Sequence, residues 1–281
     1  MAGSKFAYVR NFELPDPLLP GTFMILRIDG HAFHRLSEEH NFAKPNDERA
    51  LQLMDHAARD VMTEFKDIVL AFGESDEYSF LFRKSSTLYN RREAKILTTV
   101  TSLFTSSYVF NWSKYLSDTP LKYCPSFDGR IVLYPSTTVV RDYFSWRQAD
   151  THINNLYNTL FWALVLKGGQ TTTQAHAVLR GTVSSQKHEM LFSRFGINYN
   201  ELAARFRKGS VLVREEVRTI GVDGLEATPL PVSEEVSEVV SSGAPRKASK
   251  KKVRVRTTIE LCHCDIIGDE FWNARPNILA D

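Results

Sequence analysis

The stretch Ile68-Val69-Leu70-Ala71-Phe72-Gly73-Glu74-Ser75-Asp76-Glu77-Tyr78-Ser79-Phe80-Leu81-Phe82 decides the fold. Two short apolar runs, at residues 68–72 and 78–82, flank a turn at residues 73–76, which is the pattern of a β-hairpin. Acidic residues occupy the turn and the position directly after it. The stretch therefore predicts two buried strands that present carboxylates at one end of a hairpin.

The elements around this hairpin predict an α+β fold. An apolar run at residues 23–28 ends in Asp29-Gly30 and indicates a buried strand that stops at a turn. Apolar residues at three- and four-residue spacing predict a helix from a cap at Asn46 or Asp47 to about residue 65. A second helix is expected over about 91–112, and a fourth strand over 131–134. The order β-α-β-β-α-β is the ferredoxin-like arrangement, shared by analogy with the polymerase palm and the nucleotidyl cyclases.

The chain beyond residue 135 has a different character. With residues 1–135 as a palm-like catalytic core, we expect residues 136–220 to form an attached, mainly helical part. Its predicted helices cover about 139–166, 172–179 and 184–192. Residues 221–252 change composition and end in a basic run, which predicts a mobile insertion. The basic run is either a solvated linker or a nuclear-localisation or RNA-contacting segment. Residues 253–281 are expected to pack back on the core.

Composition excludes several classes of protein. The 281 residues are 43% apolar, enough for a sizeable core, and the net charge of +2 is not that of a non-specific nucleic-acid coat protein. The three cysteines argue against a disulfide framework and for a reducing compartment. Cys262-His263-Cys264 is too tightly spaced for a usual zinc site. No targeting or membrane-spanning segment is recognised, so we expect a cytoplasmic protein, with a nuclear or mitochondrial location left open.

Three carboxylates are expected to meet at one edge of the sheet. Asp29 ends the first strand, Asp76 lies in the hairpin turn 47 positions further on, and Glu77 directly follows that turn. Because close carboxylates repel, such a group favours a bound cation, and two Mg²⁺ ions would suit a phosphoryl transfer. Taken singly, each aspartate is a common turn residue. Their joint placement in the β-α-β-β-α-β order favours a metal site.

Polar and basic residues elsewhere indicate phosphate and RNA binding. The turn after Asp29 allows main-chain amides to approach a triphosphate, and Lys44 precedes a helix N-terminus that favours anions. Arg92 and Lys95 near one helix start, and Lys187 near another, favour further anions, with solvated surface cations as the alternative. His152 and Asn155 form a polar row with Thr159 on the long helix. This row is either internal hydrogen bonding or a nucleic-acid surface. Residues 205–209 interleave cations with an aromatic ring, which suits RNA.

Five motifs together resemble the tRNA-histidine guanylyltransferase family. They are His152-Ile153-Asn154-Asn155-Leu156-Tyr157-Asn158-Thr159, Gly73-Glu74-Ser75-Asp76-Glu77-Tyr78-Ser79-Phe80, Arg27-Ile28-Asp29-Gly30, Asn41-Phe42-Ala43-Lys44-Pro45-Asn46-Asp47 and Cys264-Asp265-Ile266-Ile267-Gly268-Asp269. The octapeptide at His152 is highly specific. The resemblance runs from about residue 4 to residue 272, except for 221–252.

This resemblance implies a reverse, 3′-to-5′ nucleotide addition. ATP activates the 5′-phosphate of tRNA-His, the 3′-hydroxyl of GTP attacks, AMP leaves, and pyrophosphate is then removed from the added G at position −1. It also implies a palm-like core, Mg²⁺ and a homotetramer, with residues 136–220 contacting tRNA and other subunits.

The resemblance also assigns site residues. The implied metal ligands are Asp29, Asp76 and the Gly30 carbonyl, with Glu77 in support. The implied nucleotide-binding residues are Asp29, Gly30, His31, Ala32, Phe33, His34, Phe42, Ala43, Lys44, Asp47, Ser75 and Asp76. Arg92, Lys95 and Lys187 would hold a second triphosphate or the RNA 5′ end, and His152, Asn155 and Lys208 would contact tRNA.

Two other functions stay open at this stage. A nucleotidyl cyclase-like enzyme on the same fold would make a cyclic product and would not need tRNA. A tRNA-binding scaffold without catalysis would have no use for a repelling pair of carboxylates at Asp29 and Asp76.

Overall fold

A computed structural model of the chain describes residues 4–220 and 253–280. Within them, the strands are β1 (Phe23–His31), β2 (Ile68–Glu74), β3 (Glu77–Phe82), β4 (Ser126–Tyr134), β5 (Ser210–Ile220) and β6 (Val253–Cys262). They form one antiparallel sheet in the order β4-β1-β3-β2-β5-β6. Its first four strands have the predicted ferredoxin-like arrangement, with β1 and β3 adjacent, so the predicted fold class is confirmed.

Four helices belong to the part of the chain between β1 and β4. They are α1 (Phe33–Glu39), α2 (Glu48–Glu64), α3 (Glu93–Phe110) and α4 (Trp112–Tyr115). Val61 of α2 and Phe104 of α3 are fully buried with Leu26, Ile28 and Phe80 of the sheet. Because residues alternate across a strand, the neighbours of these sheet residues point to the other face.

The opposite face of the sheet is covered by α5 (Thr137–Trp162). Ser136 caps this helix by accepting from the Val139 amide. Tyr143 and Phe144 pack against Ile25 and other apolar side chains of the sheet. The helix continues through a wide π-helical turn, Ala163–Lys167. Its first half therefore lies across the sheet face that carries Arg27, Asp29 and Glu77.

A separate helical lobe surrounds the second half of α5. It contains α6 (Thr172–Leu179), α7 (Ser184–Phe195) and α8 (Ala204–Lys208). Leu156, Leu160 and Leu164 are buried in its core with Leu179 and Leu191. Ile153, although apolar and on the same helix, is 54% exposed and lies outside this core.

The sheet extends further than the sequence predicts. β5 pairs with β2, with Ser210 opposite Gly73, so the end of the region predicted to be helical is a strand of the core sheet. After β6 comes α9 (Asp269–Asn273), whose Phe271 and Trp272 are buried against the same core as Phe144. The predicted insertion at 221–252 lies outside the described residues. None of the described helices is long and apolar enough to span a membrane.

Candidate active site

The end of β1 and the turn of the β2–β3 hairpin meet at one edge of the sheet. Asp29 lies opposite Glu77 in the β1–β3 register. The Gly30 amide donates to the Asp76 carbonyl oxygen at 3.0 Å. Ser75, in the turn, has a left-handed backbone with φ of 51°. The three acidic residues are therefore neighbours in the structure although Asp29 is far from the other two in the sequence.

Asp76 lies in a partly desolvated position. Burial raises the pKa of its carboxyl group, and the negative charge of Asp29 acts in the same direction. A hydrogen bond from Ser75 and the proximity of His34 offset part of this rise. A carboxylate in this environment gains by taking up a proton or by binding a cation.

Behind this edge, Arg147 of α5 joins two glutamates. Its Nε donates to Oε1 of Glu77 at 2.8 Å, and its Nη2 donates to Glu74. Arg27 approaches Glu77 from β1, with its Nε 3.6 Å from the carboxylate. Burial raises the pKa of Glu77 to about 7 although both arginines act to lower it. The two arginines thus hold the Glu77 side chain in place, although burial of its carboxylate costs solvation free energy.

The ion pairs of the site leave two carboxylates, those of Asp29 and Asp76, as possible ligands of a cation. Arg147 pairs with Glu74, Glu77 and Asp150, and Arg27 pairs with Glu77. Asp29 and Asp76 are then the oxygen donors at the edge, beside the Gly30 carbonyl. Residues 4–220 and 253–280 contain no cluster of three or more His, Cys, Asp or Glu side chains that would hold a metal alone. Mg²⁺ needs only one or two carboxylates when waters and substrate phosphates complete its shell, so the donor set fits this ion.

The segment after Asp29 turns directly into α1. A Cβ at Gly30 would come within 2.4 Å of the Phe33 ring, so only glycine fits here. Ala32 has a left-handed backbone with φ of 57°. The Phe33 ring packs against Phe127, with centroids 4.8 Å apart, and is partly buried at the margin of the core. His31 and His34 are exposed and accessible to a ligand.

The second predicted nucleotide segment, residues 42–47, folds onto the start of α2. The Asp47 carboxylate accepts from the amides of Ala43, at 3.1 Å, and Arg49, at 3.0 Å, and its side chain is only 3% exposed. Asp47 therefore shapes the loop and caps α2 instead of facing a ligand. The Phe42 ring stacks on a tryptophan of α4, and the Lys44 ammonium group lies 5.4 Å from the ring of a tryptophan at the end of α5.

The cations predicted to hold a second triphosphate or the RNA 5′ end have protein partners. Arg92 pairs with Asp16 at 3.2 Å, and Asp16 also accepts from the Ala94 amide at the start of α3. Asp16 thus supplies the negative charge that the sequence argument assigned to a ligand. Lys95 lies 4.7 Å from a tyrosine ring. Lys187 donates to a main-chain carbonyl in the helical lobe at 2.7 Å. None of these contacts connects Lys187 with Arg92 or Lys95.

This architecture matches known proteins over most of the chain. A family model described as tRNAHis guanylyltransferase matches residues 6–135, and one described as Thg1 C terminal domain matches residues 138–268. The chain belongs to the tRNAHis guanylyltransferase family. A tRNA(His) guanylyltransferase of Schizosaccharomyces pombe is 51% identical over 98% of this chain and 97% of its own length. A probable tRNA(His) guanylyltransferase of Mus musculus is 52% identical over 100% of this chain and 90% of its own length.

Solved structures of the family agree with the fold. The crystal structure of the tRNA(His) guanylyltransferase from Saccharomyces cerevisiae is 50% identical, with a TM-score of 0.72 over 74% of this chain and 93% of that chain. A bacterial tRNA(His) guanylyltransferase-like protein in complex with GTP is 18% identical, with a TM-score of 0.61 over 98% of this chain and 96% of that chain, and shows the fold alone.

The residues that this tRNAHis guanylyltransferase family member was predicted to use for tRNA contact differ in their burial. Asn155 is buried: its Oδ1 accepts from Asn46 at 2.8 Å and its Nδ2 donates to Tyr199 at 3.1 Å. The internal hydrogen-bonding interpretation therefore holds for Asn155, and the predicted surface contact is wrong in this fold. His152 is partly exposed, and Lys208 forms an ion pair with Asp265.

Sequence reasoning missed Arg147 and Gln148 in this family member. Gln148 donates to the carbonyls of Lys208 and Cys264 and accepts from the Ile266 amide. Both side chains are buried. The available signal was the position of these polar residues beside Tyr143 and Phe144, on the apolar side of the helix. Such a position indicates buried partners, but it does not identify them.

Proposed function

We propose that this chain is a tRNA(His) guanylyltransferase that adds one G, at position −1, to the 5′ end of tRNA(His). The carboxylate pair of Asp29 and Asp76 at the edge of a palm-like sheet carries the proposal. It occurs in a chain about half identical, over its full length, to enzymes named for this reaction.

The proposed reaction comprises two nucleotidyl transfers and a cleavage. The tRNA 5′-phosphate first attacks the α-phosphorus of ATP and releases pyrophosphate. The 3′-hydroxyl of GTP then attacks the activated 5′-phosphate and releases AMP, and pyrophosphate is finally removed from the added nucleotide. Bacterial tRNA(His) guanylyltransferase-like protein has been solved in complex with ATP and in complex with GTP, which supports these substrates.

Each group of residues has a role in this proposal. Asp29, Asp76 and the Gly30 carbonyl would hold two Mg²⁺ ions, which supply charge neutralisation at the transferring phosphorus. Glu77 and Arg147 hold the start of β3 in place, directly after Asp76. His31, His34 and Lys44 would contact a nucleotide. Because the attacking groups belong to the substrates, no side-chain nucleophile is required, and positioning and electrostatics supply the catalysis.

The test uses purified protein, 5′-monophosphorylated tRNA(His), ATP, labelled GTP and Mg²⁺. We expect label at the 5′ end of the tRNA, and its loss in Asp76→Asn. Asp128→Asn is the matched control, because Asp128 lies opposite Asp29 on the outer strand β4 and is exposed. A cyclic product without tRNA labelling would favour the cyclase alternative. Bound tRNA with no labelling by the wild-type protein would favour the scaffold.

The assembly is a separate part of the proposal. We propose a homotetramer, supported by large apolar side chains that the N-terminal segment leaves exposed. Phe6, Phe12 and Leu14 are 62%, 78% and 88% exposed, and such clusters often mark subunit contacts. Sedimentation of the full chain as a monomer at micromolar concentration would contradict this assembly. The compartment, with the cytosol as the expectation, stays a prediction of the sequence.

A further inference from the structure

Two cysteines face each other at the end of β6. Cys262 is the last residue of the strand and Cys264 follows two positions later, yet their sulfur atoms lie only 3.3 Å apart. Both side chains are partly exposed, so a small oxidant can reach them. A disulfide joins sulfur atoms about 2.05 Å apart, so a small shift of either residue would close the bond.

The two thiols differ in acidity. A hydrogen bond from Cys262 holds the pKa of Cys264 at about 7, below the usual value, and the positive charge of Arg275 acts in the same direction. The same contact and burial raise the pKa of Cys262. Cys264 is therefore the nucleophile at neutral pH, and Cys262 is placed to react with it next.

The segment around Cys264 is tied to the helix that supports the candidate active site. The Cys264 carbonyl accepts from Gln148 at 2.9 Å, and the Ile266 amide donates to Gln148 at 2.8 Å. His263 Nδ1 donates to the Gly209 carbonyl at 2.9 Å, next to β5. Gln148 directly follows Arg147 in α5. A displacement of Cys264 is therefore passed to the turn of α5 that holds Glu77.

We propose that Cys262 and Cys264 form a reversible dithiol–disulfide switch that is closed by peroxide and that acts on the α5 turn behind the catalytic carboxylates. The Cys264 thiolate attacks one oxygen of hydrogen peroxide, which forms a sulfenic acid and releases hydroxide. The Cys262 thiol then attacks that sulfur, the S–S bond forms, and water leaves. Two thiols and one peroxide thus give one disulfide and two waters. Thiol reductants reverse the reaction.

The chemistry can be tested without any assay of function. Full-length Cys124→Ser protein is treated with hydrogen peroxide, and free thiols are alkylated before tryptic digestion. Residues 257–281 form one tryptic peptide that contains both remaining cysteines. We expect this peptide to lose two hydrogens and to resist alkylation until dithiothreitol is added. Cys262→Ser and Cys264→Ser serve as matched variants, in which no intramolecular bond can form.

The coupling to the active site rests on the proposed function and has its own measurement. Labelling of tRNA(His) by the Cys124→Ser protein is compared before oxidation, after oxidation and after reduction. We expect a loss of labelling on oxidation that dithiothreitol restores, and no such loss in Cys262→Ser. An inactive reduced protein would count against the proposed function only, since the disulfide is still read by mass.

Two results would overturn the switch. One is stepwise oxidation of the cysteines to sulfinic and sulfonic acids, or an adduct with glutathione, with no internal disulfide at any peroxide concentration. The other is a quantitative disulfide with unchanged labelling of tRNA(His), which would show that the bond has no effect on the site.

Discussion

The Nε of Arg147 donates to Oε1 of Glu77 at 2.8 Å, although the two residues lie 70 positions apart in the chain. The same guanidinium donates to Glu74, and its side chain is only 6% exposed. This contact joins α5 to β3 one residue after Asp76. It therefore connects the helix that leads into the helical lobe with the strand that carries the candidate metal site.

We expect Arg147→Met to destabilise the fold and to impair catalysis. The change removes the buried guanidinium that Glu74 and Glu77 share and leaves them with only the Thr151 hydroxyl and the more distant Arg27. Breaking a buried ion pair in this way typically lowers the free energy of unfolding by about 3–5 kcal/mol. Urea denaturation measures this loss. Arg141→Met, on the same helix, is the control, because Arg141 is half-buried and pairs with the exposed Asp269. Its surface ion pair is expected to contribute at most about 1 kcal/mol. Equal losses in the two variants would contradict the importance of the buried cluster.

Asp47 gives a prediction about pH. Burial acts to raise the pKa of Asp47, but hydrogen bonds from Arg49 and the Ala43 amide outweigh it and hold the pKa below its usual value. The ionised carboxylate therefore stabilises the fold above the ordinary pKa of about 3.9, and this stability is lost as pH falls through the lower folded-state value. Asp47→Ala should lower the unfolding free energy at pH 7 by about 1–2 kcal/mol, the usual effect of losing a helix cap.

The pH series distinguishes this role from simple packing. The difference in unfolding free energy between wild type and Asp47→Ala is expected to shrink steadily below about pH 4. A difference that stays constant from pH 7 to pH 3 would show that the charge of Asp47 is irrelevant. Glu48→Ala, at the exposed neighbouring position, is the control and should have little effect at any pH.

The sequence predicts the local elements well because their signals are local. Apolar runs and turn residues identify β1 to β3 and the second half of β4, and the predicted cap at Asn46 or Asp47 gives the start of α2 within one residue. Adjacent placement of β1 and β3 then brings Asp29 and Asp76 together. In contrast, β5 was assigned to the helical region, because the run Val211-Leu212-Val213 is short and its partner β2 lies far earlier in the chain. Non-local pairing of this kind has no signature in a single sequence.

The candidate functional residues show the same division. Asp29 and Asp76 are predicted from turn chemistry and strand order. Arg147 is not predicted, because a basic residue in a helix is usually solvated and its acidic partners are remote. The family resemblance assigned Asn155 to tRNA, with internal hydrogen bonding as the open alternative, and its amide lies between Asn46 and Tyr199. Burial of a polar side chain depends on tertiary packing, which a periodicity argument does not reveal.

Because Asn155 is buried, we expect its substitution to lower the stability of the fold rather than the affinity for tRNA. Asn155→Ala removes the acceptor of the half-buried Asn46 amide and the donor to the buried Tyr199 hydroxyl, which keeps its bond to the His152 carbonyl. Such a loss typically costs about 1–3 kcal/mol. We expect a lower melting temperature, with tRNA affinity unchanged at temperatures where the variant is folded. Asn154→Ala, at the next and exposed position, should leave the melting temperature unchanged. Weakened tRNA binding by a stably folded Asn155→Ala protein would restore the surface role.

A buried hydrogen-bond network centred on Asp55 lies beside the candidate active site. The Tyr78 hydroxyl donates to Oδ1 of Asp55 at 2.8 Å, and Arg205 of α8 donates to the other oxygen, Oδ2, at 2.5 Å. Tyr78 directly follows Glu77, and a Cβ at Gly73 would come within 2.3 Å of its ring. The network therefore fixes β3 against α2 and α8. Arg205, predicted to face RNA as part of a basic segment, points into this network instead.

Because Tyr78 and Arg205 both donate to the carboxylate of Asp55, their contributions to the free energy of unfolding should be coupled. Tyr78→Phe alone is expected to lower the free energy of unfolding by roughly 1 kcal/mol. In a double-mutant cycle with Arg205→Met, the two losses should differ from additivity by at least about 0.5 kcal/mol. Tyr157→Phe is the matched control, since its hydroxyl bonds His176 at an exposed site. Additive losses for Tyr78 and Arg205 would show that Asp55 does not connect them energetically.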